Sequence, residues 1–197
     1  MAVRRAATSK RHVFVNVPFD AAYEPLFLAL VAGLVGRGFV PRSVLEIPPQ
    51  RDRLRRLCDL IEACGLSVHD LSRVTLSRGN FRVPRFNMPF ETGLAVAIAR
   101  GAEGHQWRLL EGRPYRLQQS LSDLNGYDPA IHGDRPGGML AAVADLFPAH
   151  EVDESHMRRI HHELKLFRRS QVGTSLYTPR AFQRLVRAAV LMVAADS

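Results

Sequence analysis

Two carboxylates in this chain have the type and placement for chemistry on a glycosidic bond. Glu91 lies in Phe-Asn-Met-Pro-Phe-Glu-Thr-Gly-Leu-Ala-Val-Ala-Ile-Ala, residues 86 to 99, where Pro89 suits a first helical turn and the small residues permit close packing on a sheet. A carboxylate early in that helix faces the positive end of the macrodipole and is expected to stay ionised, as a nucleophile or as a stabiliser of a developing cation. The same position also suits a carboxylate that only complements the dipole. Asp70 ends the β-rich run Leu66 to His69 and is expected at the carboxyl edge of a sheet, close to Glu91. Glycosidic chemistry uses such a pair, one carboxylate acting at the anomeric carbon and one handing a proton to the leaving group. Asp59 and Asp123 are further candidates for the acid, although Asp59 can pair with Arg55 or Arg56 and Asp123 suits an Asx turn.

The elements that must position these groups alternate between strand and helix signals, the pattern of a parallel sheet wrapped by helices. His12 to Val17 reads as the first strand, ended by Pro18-Phe19-Asp20, and Tyr23 to Val35 as a helix ended by Gly36 and Gly38. Phe39 to Ile47 follows as a second strand, which Pro41 assigns to an edge. Gln50 to Cys64 carries Leu54, Leu57, Cys58, Ile61 and Cys64 inward and a row of arginines outward. After the third strand, the long polar stretch from Leu71 to Asn87 joins Asp70 to the Glu91 helix, and a loop of that length is usually functional. Trp107 to Leu110 and Asp128 to His132 are the fourth and fifth strands, with a short helix from Pro114 to Leu121 and a turn around Gly126 between them. Gly137 to Phe147 is helical. Glu154 to Arg169 and Pro179 to Ala194 then form a helical hairpin. The expected organisation is a basic, flexible stretch over 1–11, a nucleotide-binding or catalytic domain over 12–148, and the hairpin over 149–197 packed on it.

At this point the chain resembles a known superfamily. Val13-Phe14-Val15-Asn16-Val17-Pro18-Phe19, then Ile61 to Ser72, then Glu91-Thr92-Gly93-Leu94-Ala95-Val96-Ala97 look like the nucleoside 2-deoxyribosyltransferases and nucleotide N-glycosidases, with related bacterial TIR-like domains, many of which cleave NAD. The resemblance covers about residues 12 to 132, with Val17 and Thr92 departing from the family's glycine and leucine. It implies a flavodoxin-like open parallel sheet of about five strands, a glutamate nucleophile at Glu91 and a substrate-site aspartate at Asp70. Substrate contacts are expected from Pro18, Phe19 and Asp20 on one wall, from Ser72, Arg73, Arg85, Asn87 and Met88, and from Ser122, Asp123 and Asp128 on another wall. Arg73, Arg78, Arg82 and Arg85 lie on the long loop, and guanidinium forks there could grip a phosphate.

Composition narrows the partners. The chain has 197 residues, 46% hydrophobic and 23% charged, with a formal net charge of +8. Its arginines are scattered and match no compact nucleic-acid motif, so nucleic acid stands only as a third reading. No apolar run is long enough to span a bilayer and Met1 to Arg11 lacks the apolar core of a signal peptide, so a cytoplasmic protein without membrane contact is expected. Cys58 and Cys64 have no metal-ligand spacing, His161-His162 lacks a third ligand, and no metal or redox cofactor is expected. Gly36-Arg37-Gly38 and Gly133 to Gly138 are read as turns, with neither the spacing nor the strand-to-helix context of a phosphate loop. The first expectation is cleavage or transfer of an N-glycosidic bond in NAD or a nucleoside monophosphate, NAD entering as substrate rather than as cofactor. The alternative is a non-catalytic TIR-like nucleotide-sensing or adaptor domain in a bacterial stress or defence system. In that case the apolar residues Ile160, Leu164 and Phe167, with Phe182, Leu185, Val186 and Ala189, could bind a protein partner or a second copy.

Overall fold

The computed structural model describes residues 9–48, 52–74, 85–101, 104–148, 154–171 and 173–194. Strand β1 (Ser9–Asn16) leads into α1 (Glu24–Gly36), and β2 (Val40–Arg42) is followed by a 3-10 turn at Val44–Glu46. Next come α2 (Arg53–Ala63), β3 (Cys64–Asp70), α3 (Asn87–Gly101), β4 (Gln106–Glu111), α4 (Arg116–Ser120), a 3-10 turn at Ser122–Leu124, β5 (Ala130–Ile131) and α5 (Pro136–Leu146). The chain closes on α6 (Glu154–Ser170) and α7 (Pro179–Ala194).

All strand pairs are parallel, in the order β2-β1-β3-β4-β5, which is the flavodoxin-like order. Pro41 does sit on an edge strand, where its missing N–H leaves no gap in a central ladder. That strand is shorter than Phe39 to Ile47 suggests. Ser43 ends it by capping the 3-10 turn, its hydroxyl accepting from Leu45 N while Glu46 accepts from Ser43 N. Cys64 and Gly65 belong to β3 rather than to the end of the preceding helix; Gly65 packs against Lys10 and Ser9 of β1, and a Cβ there would lie 3.2 Å from Lys10 Cα.

Helix α1 explains the hairpin. Every residue from Leu26 to Gly36 is buried, so the helix is apolar all round, the signature of an element covered on every side. The sheet covers one side; α5, α6 and α7 cover the others, with Met157, Ile160, Leu164, Phe182, Leu185 and Ala189 in the same core as Phe27, Leu30 and Leu34. A Cβ on Gly36 would come within 2.8 Å of Met157 Cγ, so the glycine is what lets α6 approach. The hairpin's apolar faces, together with Val186 and the partly buried Phe167, are therefore consumed within the chain, as expected of a hairpin packed on the domain, and are not left for the partner that the alternative reading assigns to them. Helices α2 and α3 pack together on the opposite face of the sheet. No described helix is long and apolar enough to cross a membrane.

Candidate functional site

In a parallel sheet of this order, the chain leaves β1 toward one face and β3 toward the other, which opens a crevice at their carboxyl ends. A cleft of about 450 Å³ occupies that place, lined by Asn16 and Val17 to Phe19 after β1, Val44 after β2, Arg53 at the start of α2, and Arg85 to Met88 with Glu91. Pro18, Phe19, Arg85, Asn87, Met88 and Glu91 meet there as the sequence suggests.

Glu91 differs from expectation in its electrostatics. Helix α3 begins at Asn87, so Glu91 is past the first turn, where the dipole's influence has faded. It makes no hydrogen bond or ion pair among the described residues. Burial lifts its pKa from 4.5 to about 7, with Arg53 pulling the other way. Far from being locked in the ionised form, Glu91 exchanges a proton near neutral pH. Its place past the first turn means that it does not cap the helix.

Asn16 is held by a buried polar chain whose proton positions follow from its ends. The Cys64 carbonyl can only accept, so His105 Nδ1 donates to it (2.9 Å), leaving Nε2 to accept from Ser67 Oγ (3.1 Å). Ser67 Oγ then accepts from His69 Nε2 (2.9 Å), and His69 Nδ1 accepts from Asn16 Nδ2 (3.0 Å). The second Nδ2 proton goes to the Met88 carbonyl (2.8 Å), which also accepts from Thr92 Oγ1 (2.8 Å). Burial, and secondarily His105, push the His69 pKa down to about 3, so the ring stays neutral. Both donors of Asn16 are thus spent inward, pinning the start of α3 to β1, and what Asn16 offers the cleft is its acceptor, Oδ1.

Asp70 does not line the cleft. It is fully buried at the end of β3, where Oδ1 accepts from Ser72 N (2.8 Å) and Oδ2 accepts from the Tyr23 hydroxyl. Tyr23 holds its proton because burial, and then Asp70, raise its pKa well above the usual value. His132 Nδ1 accepts from Asp134 N (3.1 Å), which puts the ring proton on Nε2, 3.2 Å from Asp70 Oδ2 but too oblique for a hydrogen bond. The expected sharing of one pocket by Asp70 and Glu91 is therefore not found; α1 brings Tyr23 over Asp70 and seals it.

The remaining expected contacts divide. Asp20 caps Tyr23 N (3.0 Å) and binds Arg85 (2.7 Å) and Arg73 (3.3 Å), so it organises the loop arginines instead of facing the cleft. Ser72 is buried behind the site with Asp70, and Arg73 is outside the cleft wall. Ser122, Asp123 and Asp128 are exposed beyond β4 and do not form a wall. Arg78 and Arg82 lie outside the described residues.

Besides Val17 and Phe86, which adjoin expected contacts, three lining residues are not expected from the sequence. Val44 follows a strand drawn too long. Arg53 reads as one of an outward row, yet it donates to the Ile47 carbonyl (3.1 Å) and borders the cleft. Asn16 carries a signal: a polar residue at the carboxyl end of the buried run Val13-Phe14-Val15 has to be satisfied from within. No family model matches this chain, and neither does any curated protein or solved structure.

Proposed function

We propose that the cleft cleaves or exchanges the N-glycosidic bond of a nucleotide-type substrate, NAD or a nucleoside monophosphate, with Glu91 as the group that meets the anomeric carbon. The observation that carries this reading is a partly buried carboxylate, unpaired among the described residues and with a pKa near 7, set in a crevice at the switch point of the sheet. Its ionised form attacks the anomeric carbon, or stabilises the oxocarbenium ion, as the bond to the base breaks. Asn16 Oδ1 accepts from a sugar hydroxyl. Arg53 and Arg85 each spend one guanidinium donor on the protein, leaving the rest of the fork for a phosphate. Water or a second base then takes the sugar. The described cleft walls hold no second carboxylate, so the departing base takes its proton from solvent or leaves as a good leaving group, as a positively charged nicotinamide does.

The withdrawal of Asp70 favours one other reading, a domain that binds the nucleotide without cleaving it. Incubating the purified protein with NAD and with each nucleoside monophosphate, and following free base by liquid chromatography, separates the two. Base release that rises as the pH passes upward through about 7 is the expected result, since the ionised form of Glu91 is the active one. Saturable binding with no base released from any of them overturns the enzymatic reading.

A further inference from the structure

The hairpin carries charge that the proposed reaction does not use. Residues 154 to 194 contain eight Lys or Arg against two Glu, and so supply six of the chain's eight net positive charges. Some of this charge is neutralised: Arg158 pairs with Glu154 (2.9 Å) and Arg168 with Glu24 (2.7 Å). Lys165 and Arg169 make no ion pair among the described residues. They converge on a separate cavity of about 350 Å³, walled by Glu24, Pro25 and Leu28 of α1, Pro136 of α5, and His161, Lys165, Arg168 and Arg169 of α6. The cavity shares no residue with the Glu91 cleft.

Its balance of charge is one-sided. Glu24, the one carboxylate in the wall, is already spent on Arg168. His161 Nε2 is buried without a hydrogen-bond partner among the described residues, an arrangement that an incoming acceptor would repair. Burial, then Lys165 and His162, lower the pKa of His161, as expected for an imidazole in positive surroundings. The adjoining segment supports the same ligand. Gly133 to Gly138 runs from the carboxyl end of β5 into α5 without the spacing of a phosphate loop, and Pro136 brings the start of α5 into the cavity wall. The N-cap residue of α5, Arg135, supplies no side-chain acceptor to the first N–H groups of the helix. Gly138 cannot be replaced: a Cβ there would lie 2.1 Å from His132 O.

We infer that this cavity is a second binding site, for a phosphate group, free or carried on a small ester, held by Lys165, Arg169 and His161 at the amino ends of α1 and α5. Such an occupant would tie the hairpin to the sheet domain by charge as well as by its apolar core. The test is an NMR titration of the full chain that follows the imidazole resonances of His161, with inorganic phosphate in one arm and AMP in the other. A saturable shift of His161, retained in Arg85→Ala and weakened about tenfold or more in Lys165→Ala/Arg169→Ala, is the expected result, since each lost charge-assisted hydrogen bond is worth about that much or more. Both arginine and lysine side chains replaced in the double variant are exposed, so the fold should tolerate it. Saturation by AMP alone assigns the site to esters and supports the inference. No saturable shift from either probe, or unchanged affinity in the double variant, overturns it, and so does a shift abolished by Arg85→Ala, which would place the ligand in the Glu91 cleft.

Discussion

Asp70 and Glu91 belong to the same edge of the sheet and reach it by opposite routes. Asp70 ends a central strand, is fully buried, and is met by a tyrosine hydroxyl, a backbone amide and an imidazole. Glu91 stands one turn into a helix, partly exposed to a cleft, with no hydrogen-bond or ion-pair partner among the described residues and a pKa lifted to about 7. A carboxylate whose lone pairs are satisfied within the protein is a structural post. One that is desolvated but unpaired retains its reactivity and depends on a ligand or a proton to relieve it.

That contrast can be broken at three places. Asp70→Ala strips the acceptor from the buried Tyr23 hydroxyl and from Ser72 N, and is expected to cost roughly 3 kcal/mol in urea unfolding, whereas Glu91→Ala is expected to cost little. Equal losses in the two variants would erase the distinction. Asn16→Ala leaves the Nδ1 of His69 without a donor and frees the start of α3; a loss of about 2 kcal/mol is expected, with weaker binding of nucleotide as Glu91 shifts. A variant of unchanged stability would show that the buried chain does not hold the helix.

The smallest effect concerns pH. The folded state binds a proton on Glu91 more tightly than the unfolded chain, so this group's contribution worsens as pH rises from about 4.5 through about 7. Glu91→Gln removes that penalty and should be more stable than the parent by about 1–2 kcal/mol above pH 7, after allowing for solvent at the partly exposed site, with no gain below pH 4.5. Urea midpoints of the two proteins across this range test the sign. In the Glu91→Gln background, stability should fall as pH drops below 6.5, because His69 refuses in the folded state the proton that the unfolded chain accepts. A flat profile there would contradict the neutral, fully buried network.

The sheet was legible because its signals are local. Pro41 placed β2 on an edge, Gly36 and Gly38 marked the end of α1 to within a residue, and the final helix agrees with Pro179 to Ala194 at both ends. The cleft was partly legible: Pro18, Phe19, Asn87, Met88 and Glu91 follow from strand ends and a helix start. What was not legible depends on packing between distant segments. Nothing in the residues around Asp70 says that Tyr23, 47 positions earlier, will close over it. Likewise Arg53 becomes a cleft residue only when the turn after β2 holds it there. That the hairpin packs on the domain was expected, but which element its apolar faces cover emerges only from the all-round burial of α1.

Release of free base from NAD and nucleoside monophosphates by the parent and by Glu91→Gln, measured at pH 8 beside equilibrium binding of the same nucleotides, decides whether Glu91 is the reacting carboxylate, as proposed above. Loss of turnover by a factor of about 100 or more, with binding retained within a few-fold, is the predicted result, since the amide keeps the shape of the site and removes only the nucleophile. Base release undiminished in Glu91→Gln would contradict the account.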